Sequence, residues 1–280
     1  MENNTCPACG NRPLLDEKVG RTLMLRCRAC NIVVTPRSLL RVTDERYYED
    51  AYVMTPSSRA SAQQYRYSRY PEYVRLLSEL TAIYPPPARW LDIGCGSGEF
   101  LEECRHLGYE VEGIELSNIS TNEAKRSGIA VHRDLKDVRG PIDVVSMWHV
   151  LEHLQEPRAT LQSVRSLIRP DGILCIRVPD FSGKWSRILT DHWVWFQPHH
   201  HTVHFGADSL RRLLNDTGFS VIKMRTQLPN SILVRRAYTL AAAVFNRYAK
   251  TEKENATARV TRLLKDMTAE ELFVVAKPTP

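Results

Sequence analysis

The 280-residue chain contains no long uninterrupted apolar run, and its first residues, Met1 to Thr5, are polar. The first absence argues against a membrane-spanning helix and the second against a secretory leader, so a cytoplasmic protein is expected. Also missing are a dense basic run and a motif on which nucleic-acid bases stack. A net charge of +6 therefore permits an acidic or phosphorylated partner without specifying one, and nucleic acid is not the expected ligand. What is present is 43% hydrophobic residues, enough for one large core and a small appendage.

The seven cysteines divide unequally. Cys95, Cys104 and Cys175 sit in apolar patterns and read as small core residues. The other four form two Cys-x-x-Cys pairs, Cys6/Cys9 and Cys27/Cys30, with 17 residues between Cys9 and Cys27. That spacing suits a four-cysteine zinc site. Gly10 and Asn31 follow the pairs, and both tolerate the left-handed backbone of a knuckle turn. Lys18 to Arg26 reads as a hairpin arm between them. The expectation is a zinc ribbon over residues 1–40 with a closed, structural site; disulfides are disfavoured in a reducing compartment.

The chain is organised around Arg89 to Leu101. Trp90-Leu91-Asp92-Ile93 is a short apolar run that predicts a buried strand, Gly94, Gly96 and Gly98 follow at alternate positions, and a helical pattern begins at Phe100. Strand, glycine turn and helix make the first unit of a nucleotide-binding α/β sheet. The spacing is Gly-x-Gly-x-Gly rather than the dinucleotide Gly-x-Gly-x-x-Gly, with Asp92 two residues before the first glycine. A second strand, Tyr109 to Glu115, ends in an acid placed to accept hydrogen bonds from ribose hydroxyls.

This pairing resembles the class I S-adenosylmethionine-dependent methyltransferases, whose first motif is similar to Leu91 to Gly98. The resemblance implies an α/β, Rossmann-like, seven-stranded and mostly parallel sheet whose last strand is antiparallel. It also implies S-adenosylmethionine as cofactor, held by Asp92, Gly94, Cys95, Gly96, Glu115, Leu116, Asp134, Leu135 and Trp148. Asp134, at the tip of a third strand (Ile129 to His132), takes the adenine amino group in that reading, with Asp137 as a competitor.

The remaining elements follow from periodicity and turn residues. Asn118 to Arg126 is a helix, Pro141 to Trp148 a fourth strand, and Leu161 to Ile168 a helix closed by the turn Arg169-Pro170-Asp171-Gly172. Ile173 to Pro179, Ser220 to Thr226 and Glu271 to Lys277 are the fifth to seventh strands. Residues 41–84 are a linker and cap helix, with Tyr70, Tyr73, Val74, Leu76, Leu77 and Leu80 at helical spacing. Residues 85–280 are the methyltransferase domain, interrupted by a helical insertion over 228–269. That insertion carries Arg235, Arg236, Arg247 and Lys250, and is expected to lid the site or form a dimer face, with contact to a membrane or lipid-linked acceptor as the rarer outcome.

Two histidine-rich stretches bear on chemistry. His149-Val150-Leu151-Glu152-His153 resembles a segment found in many small-molecule methyltransferases of this class; if helical, it places His149 and His153 on one face. Some of those relatives bind a divalent metal here beside the acceptor hydroxyl, although they carry Glu where this chain has His149. The second stretch, His199-His200-His201-Thr202-Val203-His204-Phe205, matches a His-x-x-His-Phe pattern of the same subfamily. Because the sulfonium carbon is a strong electrophile, the protein's tasks are alignment and removal of one proton, which suits a base near pH 7. His201 is favoured, followed by His204, with His149 and His153 as the other candidates.

The expected reaction is methyl transfer to an oxygen of a small molecule, such as a sugar or natural-product hydroxyl. One alternative is an RNA methyltransferase that docks through its ribbon and basic surface, with an affinity that falls steeply in salt. The other is a non-catalytic relative acting as scaffold or partner subunit, against which the intact glycine turn and both acids stand.

Overall fold

Two sheets share one body in the computed structural model, which describes residues 5–11, 13–41, 73–193, 195–227 and 271–280. The expectations for residues 42–72 and for the insertion at 228–269 lie outside the described residues.

The larger sheet holds the apolar runs. Its strands are β4 (Arg89–Ile93), β5 (Glu110–Ile114), β6 (Ala130–His132), β7 (Ile142–Trp148), β8 (Ile168–Pro179), β10 (Phe219–Gln227) and β11 (Glu271–Pro278). Their order is β10-β11-β8-β7-β4-β5-β6. The five strands from β8 to β6 are parallel, while β11 runs antiparallel to both β8 and β10. The last strand thus lies between the fifth and sixth, as the resemblance implied. Trp90, Leu91, Val144 and Val145 are fully buried, in keeping with central parallel strands covered on both faces.

The covering helices are amphipathic. On one face, α1 (residues 73–83) and α2 (Glu99–His106) bury Leu76, Leu77, Leu80, Phe100 and Leu101 with Trp90 and Phe273; Ala124 of α3 (Asn118–Arg126) joins them. On the other face, α4 (Pro157–Leu167) and α6 (Ala207–Asp216) bury Leu161, Val164, Leu210, Leu213 and Leu214. A short helix, α5 (Lys184–Leu189), follows β8.

Two local expectations change. β8 begins at Ile168, so the Arg169–Gly172 segment is part of the strand rather than a turn before it. The chain there runs close against β7: a Cβ on Gly172 would sit 2.6 Å from the Asp143 carbonyl oxygen. The His149–His153 segment is also not one helical face. Trp148 ends β7, His149 takes a left-handed φ of 57°, and only Leu151–His153 form a 3-10 turn.

The smaller sheet is the amino-terminal unit. Strands β1 (Leu14–Val19) and β2 (Thr22–Cys27) form a hairpin whose Gly20 supplies a φ of 60° in the two-residue connection. The sheet continues through β3 (Val33–Val34) to β9 (Val203–His204), contributed by the core domain. The ribbon is therefore knitted into the core, and its Cys6, Leu14, Cys30, Ile32 and Val34 pack in the same apolar cluster as Leu161 and Leu210.

Candidate active site

The glycine turn leaves β4 with Gly94, Gly96 and Gly98 all at positive φ (75°, 56° and 82°). Glu115, directly after β5, organises this turn: one carboxylate oxygen accepts from Gly96 N–H at 2.9 Å and the other from Ser117 N–H at 2.8 Å. Each oxygen keeps a further lone pair for hydroxyl donors. A side chain at Gly98 would be strained, since its φ is 82° and a Cβ would lie 2.4 Å from Ile129 Cδ1.

Asp92 is placed differently from a surface ligand. It is buried within β4, accepts from Ser146 Oγ at 2.5 Å, and burial pushes its carboxyl up to about 8. Asp134 is exposed at the tip after β6, where it caps the Leu135–Asp137 turn through Lys136 N–H at 3.1 Å; that bond holds its carboxyl below the usual range. Leu116 is exposed, Leu135 partly buried, and Cys95 buried behind the turn against Gly113. Trp148 closes β7, stacked on Phe273 with ring centroids 6.4 Å apart.

The four candidate bases separate into distinct roles. His149 has both nitrogens engaged by carboxylates, Nδ1 with Glu152 Oε1 and Nε2 with Glu271 Oε1, each at 3.3 Å. Burial alone would lower its pKa, but these two acids outweigh it and raise the ring to about 9. It is an imidazolium at neutral pH and has no lone pair with which to take a proton. Trp195 stacks on it at 4.9 Å.

His201 and His204 are perturbed in the opposite direction. Burial first, then neighbouring His153, drives His201 down to about 2; burial takes His204 down to about 3. Both rings are held in the neutral form. His204 also faces the ribbon, where Thr35 Oγ1 lies 3.1 Å from its Nε2.

His153 remains. Its Nδ1 lies 3.0 Å from the His200 carbonyl, which can only accept, so Nδ1 carries the proton and Nε2 the lone pair. Glu152, His153 and His201 each offer one ligand atom, all within 4.8 Å of one another. The Glu152 Oε2 atom is buried without a hydrogen-bond partner among the described residues. Sequence reasoning missed Glu271 entirely. Its one signal was a charged residue heading an otherwise apolar terminal strand.

The cysteine cluster is as expected. The four sulfurs lie within 4.8 Å of one another, with Cys6–Cys30 at 3.6 Å and Cys9–Cys27 at 3.5 Å. Zinc–sulfur bonds of ~2.3 Å would put tetrahedral sulfurs about 3.8 Å apart. The two knuckles repeat one geometry: Gly10 N–H donates to Cys6 O and Asn31 N–H to Cys27 O, with φ of 74° and 61° at those residues. None of the seven cysteines is in a disulfide. The donor set fits zinc and provides no open position for chemistry.

Comparison with known proteins fits this geometry. A methyltransferase-domain family matches residues 63–224, more than half of the chain. The ubiquinone biosynthesis O-methyltransferase of Xanthomonas axonopodis pv. citri is 31% identical over 112 residues, covering 36% of this chain and 47% of that protein. Its counterpart in Paraburkholderia xenovorans is 34% identical over 95 residues, covering 29% and 40%. The chain thus spans about half the length of the curated relatives it matches. Among solved structures, an S-adenosylmethionine-dependent methyltransferase from Archaeoglobus fulgidus has a TM-score of 0.52 at 20% identity, over 82% of this chain and 99% of that one. The 1,6-didemethyltoxoflavin-N1-methyltransferase of Burkholderia thailandensis, solved with S-adenosylhomocysteine, also scores 0.52, at 14% identity over 95% and 99%. No helix among the described residues is long and apolar enough to cross a membrane. Strand order, glycine turn and family match agree, and the chain belongs to the class I S-adenosylmethionine-dependent methyltransferases.

Proposed function

We propose that this protein transfers the methyl group of S-adenosylmethionine to a hydroxyl oxygen of a small molecule, of the sugar or natural-product class. The observation that carries the reading is Glu115: its two carboxylate oxygens hold the glycine turn open and face the position where the second-strand acid of this fold meets a ribose. The O-methyltransferase names of the curated relatives support oxygen as the acceptor atom. Domain limits of 1–40 for the ribbon, 41–84 for linker and cap helix, and 85–280 for the catalytic unit accompany this reading.

On the acceptor side, Glu152, His153 and His201 form the reacting cluster. One ring nitrogen from each imidazole and an orphaned carboxylate oxygen suit a divalent cation, which when bound would lower the pKa of an acceptor hydroxyl beside it. The chain's own residues do the rest. The His200 carbonyl accepts from His153 Nδ1 and so leaves Nε2 available, as carbonyl partners commonly do for imidazoles that ligate metals or accept protons. His149 acts as a positioning residue, gripping Glu152 from behind while anchored on Glu271.

Calorimetric titration with S-adenosylmethionine tests the cofactor half. Micromolar binding that weakens about tenfold in Glu115→Gln is expected, since one charge-assisted hydrogen bond is worth roughly 1.5–3 kcal/mol. No binding by the folded, zinc-loaded protein would refute it. Screening of sugar and phenolic hydroxyls with and without Mn²⁺, beside Glu152→Gln, tests the acceptor half.

A further inference from the structure

The β1–β2 hairpin is pinned to the core at both ends. At its tip Arg21 N–H donates to Asp191 Oδ2 at 2.9 Å, and at its root β3 pairs with β9. Between these pins lies a cavity of about 360 Å³, within the size range of small-molecule sites. The ribbon lines it with Glu17, Lys18 and Arg26, the core with Phe181, Arg187, His204 and Asp208. None of the residues expected to hold the cofactor lines it.

His204 defines its floor. The Thr35 hydroxyl has one proton, and it goes to the His201 carbonyl at 2.7 Å, which cannot donate in return. Toward His204, Thr35 is therefore the acceptor, so His204 Nε2 carries the hydrogen of that 3.1 Å bond. The neutral ring is left with a bare lone pair on Nδ1. That nitrogen has no hydrogen-bond partner among the described residues, although the side chain is 4% exposed. A ribbon threonine thus sets the tautomer of a core histidine, and the histidine offers the cavity an acceptor.

The other lining groups decide the ligand. Glu17 and Arg26 satisfy each other in a two-pronged ion pair. Lys18, Arg187 and Asp208 have no hydrogen-bond partner among the described residues and are all exposed at the rim. A phosphate or carboxylate would suit Lys18 and Arg187, but would oppose Asp208 and leave His204 Nδ1 unsatisfied. Hydroxyl groups both donate and accept, so one polyhydroxylated ligand answers every free group, and the half-buried Phe181 ring supplies an apolar face. We propose that the cleft between ribbon and core binds a neutral glycosyl unit, with His204 Nδ1 accepting a sugar hydroxyl at its floor.

Binding can be read without cofactor, so its outcome is separate from that of methyl transfer. The experiment is saturation-transfer NMR on the full zinc-loaded chain. The probes are D-glucose, D-galactose, L-rhamnose and sucrose, with glucose 6-phosphate and inorganic phosphate as anionic comparators. At least one neutral saccharide is expected to bind, at least tenfold more weakly in Arg187→Ala and Asp208→Ala, whose exposed positions leave folding intact. In ¹⁵N-histidine spectra His204 should be protonated on Nε2, and its Nδ1 resonance should move as the saccharide is added. Absence of transfer to every neutral probe overturns the proposal, as does binding unchanged in both variants. Binding of the phosphate-bearing probes alone would also overturn it and make the cleft an anion site.

Discussion

Replacing Glu271 by Gln tests the charge assigned to His149. The Glu271–His149 contact of 3.3 Å corresponds to an attraction of about 5 kcal/mol at an effective dielectric of 20, before desolvation is subtracted. The net figure is smaller. A ring raised from 6.5 to about 9 prefers its charged form by roughly 3 kcal/mol. The two carboxylates supply this net gain and also offset burial, so removing one charge should forfeit at least about 1.5 kcal/mol, or some 3–5 °C or more in Tm. The sign follows from linkage. Between pH 6.5 and 9 the folded protein holds a proton that the unfolded chain has released. The stabilisation is therefore complete below pH 6.5 and is lost as pH rises through about 9. Thermal unfolding of both proteins from pH 6.5 to 9.5 should show the wild type more stable at the low end, with the gap closing at the high end. A gap that stays constant across that range, or a His149 ring proton titrating near 6.5 in the wild type, would refute the reasoning.

The acid side has the opposite dependence. His201 and His204 are held neutral by burial and must take up protons on unfolding, so stability falls as pH drops below 6.5, and His204→Gln should flatten that acid limb of the Tm profile. Gly98→Ala forces a side chain into a φ of 82° and against Ile129; a loss of at least ~1–2 kcal/mol is expected by urea unfolding, together with weaker cofactor binding. Thr35→Val leaves the His204 N–H and the His201 carbonyl without their shared hydroxyl and should cost about 1–3 kcal/mol, whereas Thr35→Ser should recover most of it. Chelation of zinc should unravel the ribbon hairpin and expose Trp193, which packs with Val19 and Met24, giving a red shift in tryptophan fluorescence.

Local signals in the sequence carried far. The Asn118–Arg126 helix, the central strands and the four cysteines were legible because each depends on near neighbours: periodicity, turn glycines, or two residues three apart. The glycine turn and Glu115 were legible for the same reason, with one short helix between them. What escaped depends on contacts across the sheet. Gln227 and Glu271 meet at 3.3 Å from strands whose order was implied but whose register was not, and His149 is charged because Glu271 arrives there in addition to its near neighbour Glu152. The shift at His201 was not legible because burial is a tertiary property; no spacing of histidines reveals which ring loses its water. The His149–His153 face failed because one left-handed residue turns the first histidine toward β11 and leaves the second beside His201.

The pairing of β3 with β9 also bears on the order in which the molecule is made. The ribbon leaves the ribosome before the core domain and can gather its metal once Cys30, the last of its four ligands, has emerged. Its outer strand then waits, with backbone groups unpaired, until Val203 and His204 have been synthesised. During that interval the exposed strand edge invites other chains to add to it. Translation through the core domain thus ends the ribbon's vulnerable period, and a pause before β9 should raise aggregation more than a pause after it.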